Sequence, residues 1–143
     1  MLRRNGLTRT SRLKRAAIVA RHVYTGPSLK VRKLVRERSG GVCEWPGCPL
    51  VATDYHHRLN RKMGGRYGAR REQINSAAWI VHVCRQHHQD VTSAGGERLE
   101  LARDTGWVLR EHQVASEVPI RMDVDSYLID DNGGRTPYPE EDR

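Results

Sequence analysis

DYHHRLNRKMGG, residues 54–65, places an acid and two adjacent histidines ahead of a run rich in arginine and glycine. The pair His56-His57 suits neither a hydrophobic core nor a solvated surface, because imidazole is the side chain whose charge changes near neutral pH. Residues 51–57, VATDYHH, are β-branched and aromatic and predict a strand. Successive side chains on a strand point to opposite faces, so His56 and His57 are expected to do different jobs rather than chelate one ion side by side.

Cysteines bracket this stretch. Cys43-x4-Cys48 precedes it, and Cys84-x2-His87 follows 36 residues after Cys48. Each half is a turn whose two ligands can face one ion, and together they offer the four soft or borderline donors that tetrahedral zinc takes. A closed set of four protein ligands implies a structural ion that pins the excursion 49–83 to the helix after it. The competing reading, three unrelated buried thiols and a chance histidine, must treat as coincidence a pattern that uses every cysteine. Such a staple suits this composition, since the chain has 143 residues, 37% hydrophobic content and no Phe. Three cysteines do not form a secreted disulfide framework, and the longest early apolar run, AAIVA at 16–20, is too short to span a membrane. The expectation is a reducing, cytoplasmic setting with no membrane partner.

Around the knuckle the pattern predicts an α+β domain. Residues 2–15 read as a flexible basic arm, and 16–24 as a helical turn or two before Gly26-Pro27. Ser28 is a suitable N-cap for LKVRKLVRERS, which Gly40-Gly41 should end. EWPG at 44–47 predicts a tight turn. Residues 58–76 read as a long loop, AAWIVHV (77–83) as a second strand, and Cys84 to about Ser93 as a helix. ERLELARDTG (97–106) reads as another short helix, YLID followed by DNGG as a hairpin, and PEEDR at the end as disordered. His87 and His88 open the helix after Cys84, where neighbours differ by about 100° around the axis. If His87 closes the knuckle, His88 looks elsewhere, toward the strand carrying His56, and one imidazole from each could meet over a second, open metal site. His82 is expected to be half-buried and hydrogen-bonded, His22 and His112 to lie on the surface, and Trp45, Trp79 and Trp107 to pack.

Charge is unevenly spread within the net +8: residues 1–38 hold twelve Lys or Arg against one acid, and residues 111–143 hold three against nine. Arg58, Arg61, Lys62, Arg66, Arg70 and Arg71 crowd directly behind the histidine pair, with Gly64, Gly65 and Gly68 allowing close approach of backbone to phosphate. These six are the candidate DNA-binding residues; the alternative is a merely solvated loop.

VCEWPGC, ATDYHHRLNRKMGG and VCRQHH, in this order and spacing, resemble the HNH nucleases (ββα-metal, or His-Me finger), and among them the small zinc-knuckle forms of phages and prophages. The likeness covers about residues 28–106; GW at 106–107 and EVPI at 117–120 are also similar to the tails of such proteins. It implies a ββα-metal finger with a structural zinc knuckle, flanking helices and a small C-terminal hairpin, laid out as a basic arm (1–27), a nuclease domain (28–106) and a C-terminal extension (107–143). It further implies an endonuclease in which His56 and His88 hold a catalytic divalent ion and His57 is the general base. Two imidazoles favour Mn, Co, Ni or Zn over Mg. DNA is the implied partner, with phage terminase subunits beside it, and the chain is expected to be a monomer or weak dimer. The sequence departs from the pattern in three places. His87 stands where a fourth Cys is usual. Trp79 stands where an Asn is usual, leaving Asn75 as its substitute, and Thr92 stands where a further His or Asn often lies. These departures keep open a second class, a zinc-stabilised DNA-binding protein without catalysis.

Overall fold

The computed structural model describes residues 24–139; the arm up to residue 23, most of the helical turn expected over 16–24, His22 and residues 140–143 lie outside the described residues. Among the described residues the chain is α+β, with four α-helices and two small antiparallel sheets. No described helix is long and apolar enough to cross a membrane.

Helix α1 spans Leu29–Ser39. The Ser28 side chain caps it by accepting from the Val31 amide at 3.2 Å, and Gly40 ends it in the left-handed region at φ 62°. The chain then folds back on itself. Val42 bridges Val51, the Cys43 amide donates to Leu50 O at 2.9 Å, and Cys48 N closes a turn onto Trp45 O at 3.0 Å. Pro46 and Gly47 (φ 71°) fill the two central positions of that turn, as proline and glycine do in a type II turn.

Strand β1, Asp54–His57, pairs antiparallel with β2, Ile80–Val83, so that His56 stands opposite Val81. Both strands are shorter than expected. Val51 is drawn into the bridge with Val42, and Ala77–Trp79 forms a single 3-10 turn. The connection between the strands is not wholly irregular either, because Gly68–Ile74 forms a second helix, α2, anchored by the buried Ile74. Helix α3, Arg85–Thr92, follows β2 directly, with Cys84 at its N-cap. Helix α4, Glu97–Asp104, leads to Gly106, where a Cβ would lie 2.0 Å from Pro119 O; only glycine fits this close crossing of two segments.

The expected C-terminal hairpin is the outer part of a three-stranded sheet, β3 Ile120–Met122, β4 Asp125–Ile129 and β5 Arg135–Tyr138, in the order β3-β4-β5. It packs into the same core as the knuckle: Trp107, Ile120, Met122 and Ile129 share one buried cluster with Cys43, Cys84, Val81 and Val83. A buried ion pair ties α1 to this unit. The Arg38 guanidinium meets Glu44 through two 2.8 Å hydrogen bonds and also donates to the main-chain carbonyls of Ala77 and Ile80, while Glu44 Oε2 accepts from the His82 amide at 2.7 Å.

Candidate metal centre and histidine cleft

The knuckle turn brings Cys43 and Cys48 beside the start of α3, where Cys84 and His87 are three residues apart on one turn. The four ligand atoms all lie within 4.8 Å of one another. His87 Nδ1 is 3.5 Å from Cys43 Sγ and 3.3 Å from Cys84 Sγ. A tetrahedral ion with Zn–S near ~2.3 Å and Zn–N near ~2.0 Å sets its sulfur and nitrogen ligands about 3.5 Å apart, so this Cys3His group is near enough to hold a metal ion and fits a structural zinc. The thiols differ in their surroundings. Burial pushes the Cys43 thiol up to about 11, so metal binding there displaces a proton. Burial acts on Cys84 in the same direction but is outweighed by hydrogen bonds from the His87 amide, the Cys43 and Cys48 thiols and the Gln86 amide, which bring that thiol below its ordinary value. Trp45 stacks on the His87 ring, with centroids 5.0 Å apart and planes 15° apart, and holds the fourth ligand in place.

Three other histidines, His56 and His57 on β1 and His88 on α3, come together at a second place. His56, His57 and His88 line one cleft of about 580 Å³, and the rings of His56 and His88 lie 5.6 Å apart, edge to face. Each of the three has one nitrogen engaged by a group that can only accept. His56 Nε2 donates to Trp107 O at 3.2 Å, and His88 Nδ1 donates to Asp54 Oδ2 at 2.8 Å. For His57 the assignment takes one further step. Asn75 Nδ2 donates to Thr25 O at 3.0 Å, which turns its Oδ1 toward His57 Nε2 at 2.8 Å and makes that nitrogen the donor. Among the described residues, the lone pairs left free are therefore on Nδ1 of His56, Nδ1 of His57 and Nε2 of His88. Burial holds the imidazoles of His56 and His57 down at about 4, so both are neutral at physiological pH.

Asp54 was not singled out from the sequence as a site residue. It lies two residues before His56, hence on the same face of the strand, and that spacing was the available signal. Burial would raise its carboxyl, but the hydrogen bonds from His88 and Thr53 and the charge of Arg85 outweigh burial and lower it. Trp79, at the position where asparagine was sought, is a core residue at 2% exposure. Asn75, at the end of α2, is the residue that touches His57. His82 is more deeply buried than expected, with Nδ1 2.7 Å from Ser39 Oγ, and His112 is exposed.

The basic residues separate into distinct roles. Arg58 is a correction: it is fully buried and donates to the carbonyls of Gly106, Ala78, Ala115 and Val118, so it cannot face a nucleic acid. Arg61 donates to Thr25 Oγ1, and Arg71 donates to Arg66 O with its guanidinium 5.2 Å above the Tyr67 ring. Lys62, Arg66 and Arg70 converge on the Glu111 carboxylate.

No family model, curated protein or solved structure matches this chain.

Proposed function

We propose that this chain is a metal-dependent HNH endonuclease that nicks or cleaves DNA, with His57 as general base and a divalent cation held by His56 and His88. The observation that carries the proposal is the set of three imidazoles on one cleft, each with its proton pinned by an acceptor and one nitrogen left free. A core histidine needs its polar atoms satisfied, and three half-satisfied rings around open space do not meet that need.

His57 Nδ1 would take a proton from the attacking water as the new P–O bond forms and the bond to the leaving 3′ oxygen breaks. Asn75 keeps that ring in the tautomer the step requires, and Thr25 keeps Asn75 in register. His56 Nδ1 and His88 Nε2 are the nitrogens available to a cation, and the Asp54 carboxylate behind His88 strengthens that ligand. A cation bound there would supply Lewis-acid stabilisation of charge on the phosphate and the leaving oxygen. A metal held by the Cys3His group would tie the start of α3, and with it His88, to the turn that carries Cys43 and Cys48. Thr92 supplies no third imidazole, and this favours the second reading, a zinc-stabilised DNA-binding protein without catalysis. The setting we propose, from the likeness to phage proteins, is genome processing beside a terminase.

Supercoiled plasmid incubated with Mn and either the native protein or His57→Ala separates the two readings. The nuclease reading expects nicking by the native chain and a loss of about 100-fold or more in the variant. Equal DNA binding with no nicking by either chain would leave the binding protein.

A further inference from the structure

Three of the cations expected to meet phosphate already hold a carboxylate of the chain itself. Arg66 grips Glu111 with both ends of its guanidinium, at 2.9 and 2.7 Å, while Lys62 lies 3.4 Å and Arg70 3.6 Å from the same carboxylate. The arginines do not depend on the Glu111 carboxylate for their positions, although Arg70 Nη2 also donates to the Glu111 main-chain carbonyl at 2.8 Å. Arg66 Nε and Nη2 also donate to the Asn60 carbonyl at 2.9 and 2.8 Å, and the Arg66 side chain is only 10% exposed. Arg70 is held by Gln73 at 2.6 Å and by the Trp79 ring, 5.2 Å below its guanidinium. Glu111 is the loosely held member, with its side chain 57% exposed. Three cations facing one carboxylate leave the group with an excess of two positive charges. Glu111 itself lines the cleft that holds His57 and His88.

A preorganised bidentate arginine with two further cations is an oxyanion seat, and a phosphodiester presents the same pair of oxygens and single charge as a carboxylate. We propose that Lys62, Arg66 and Arg70 form a phosphate seat on the rim of the histidine cleft, that Glu111 fills it as an internal counter-ion in the free protein, and that the backbone phosphate of a nucleic acid displaces Glu111. This rests on the nucleic-acid reading above and adds to it a built-in competitor that weakens loose binding.

The test is the anisotropy of a labelled duplex DNA binding to His57→Ala protein, which cannot cleave it, with and without Glu111→Gln, Glu111→Asp or Arg66→Gln. Thermal midpoints are read alongside. Glu111→Gln is expected to bind about fivefold more tightly, with a salt slope steeper by about one. Glu111→Asp should stay near the parent, and the gain should vanish when Arg66→Gln is added. DNA bound equally or less tightly by Glu111→Gln at an unchanged midpoint would overturn the seat while leaving the nucleic-acid reading intact. No binding by any of the proteins at low salt would remove both.

Discussion

Replacing Arg58 with methionine should be among the most damaging single changes in this chain. Its guanidinium is fully buried and donates to Gly106 O at 2.8 Å, Ala78 O at 3.2 Å, Ala115 O at 2.9 Å and Val118 O at 2.8 Å. Burial, with the nearby charge of Arg38, lowers the group to about 9, which still leaves it cationic at pH 7. Methionine fills the space of the stem but leaves three buried acceptors and the part-buried Val118 O without a donor. An orphaned buried acceptor costs about 1–3 kcal/mol, and relaxation of the surrounding chain recovers part of that. Breaking a buried charged network by removing one partner costs about 3–5 kcal/mol, so about 4 kcal/mol is expected here. With a urea slope of about 2 kcal/mol/M, the unfolding midpoint should fall by about 2 M. Arg58→Lys should fall between, because one ammonium cannot reach carbonyls from four separate positions. The assay is urea unfolding followed by tryptophan fluorescence. A fall of less than about 0.5 M for Arg58→Met would refute the argument that this side chain bolts the end of β1 to the rest of the core.

Stripping metal with a strong chelator should lower the thermal midpoint by at least about 10 °C, and Cys48→Ala should do the same and then respond little to chelator; scanning calorimetry with metal analysis checks this. Cobalt substitution should give the absorption of a tetrahedral thiolate site, and its absence would remove the closed Cys3His set. Asn75→Ala should cut nicking about 10- to 100-fold while leaving the unfolding midpoint nearly unchanged, because it frees the His57 tautomer without opening the core. The Glu111 carboxyl, held down to about 2 first by its hydrogen bond to Arg66, should titrate far below the usual carboxylate range in a carbon-13 NMR experiment. Because the folded value is the depressed one, any stabilisation from this pairing is complete above about pH 4.5 and fades as pH falls toward 2. A midpoint near 4.5 would mean that the cluster does not persist in solution.

What the sequence disclosed was local. Ser28 and Gly40 bound α1 through side-chain and backbone preferences within a few residues, and the Pro46-Gly47 turn is set the same way. The metal ligands were legible because each pair sits within one turn. What stayed hidden depends on distant carbonyls and on burial. Nothing around Arg58 signals that its acceptors come from residues 78, 106, 115 and 118. Arg38 and Glu44 look like surface charges until Ala77, Ile80 and His82 close around them. Helix α2 has the sequence of a loop because Gly68 and a pair of arginines open it and only Ile74 is buried. Strand β3, three residues long, has too short an alternation to be recognised before β4 pairs with it. The Asn75–His57 contact lies between these extremes: Asn75 stands out in the sequence as a substitute for the usual asparagine, but its position follows from α2, which the sequence pattern does not show.

Diffraction recorded at the zinc and manganese absorption edges, from crystals of the native chain soaked in manganese, would locate both ions independently. A zinc peak enclosed by Cys43, Cys48, Cys84 and His87 is expected, with a separate manganese peak shared by His56 Nδ1 and His88 Nε2. Zinc in its site with no manganese at the two imidazoles would contradict the nuclease reading, and an empty Cys3His group would contradict the metal-held fold beneath it.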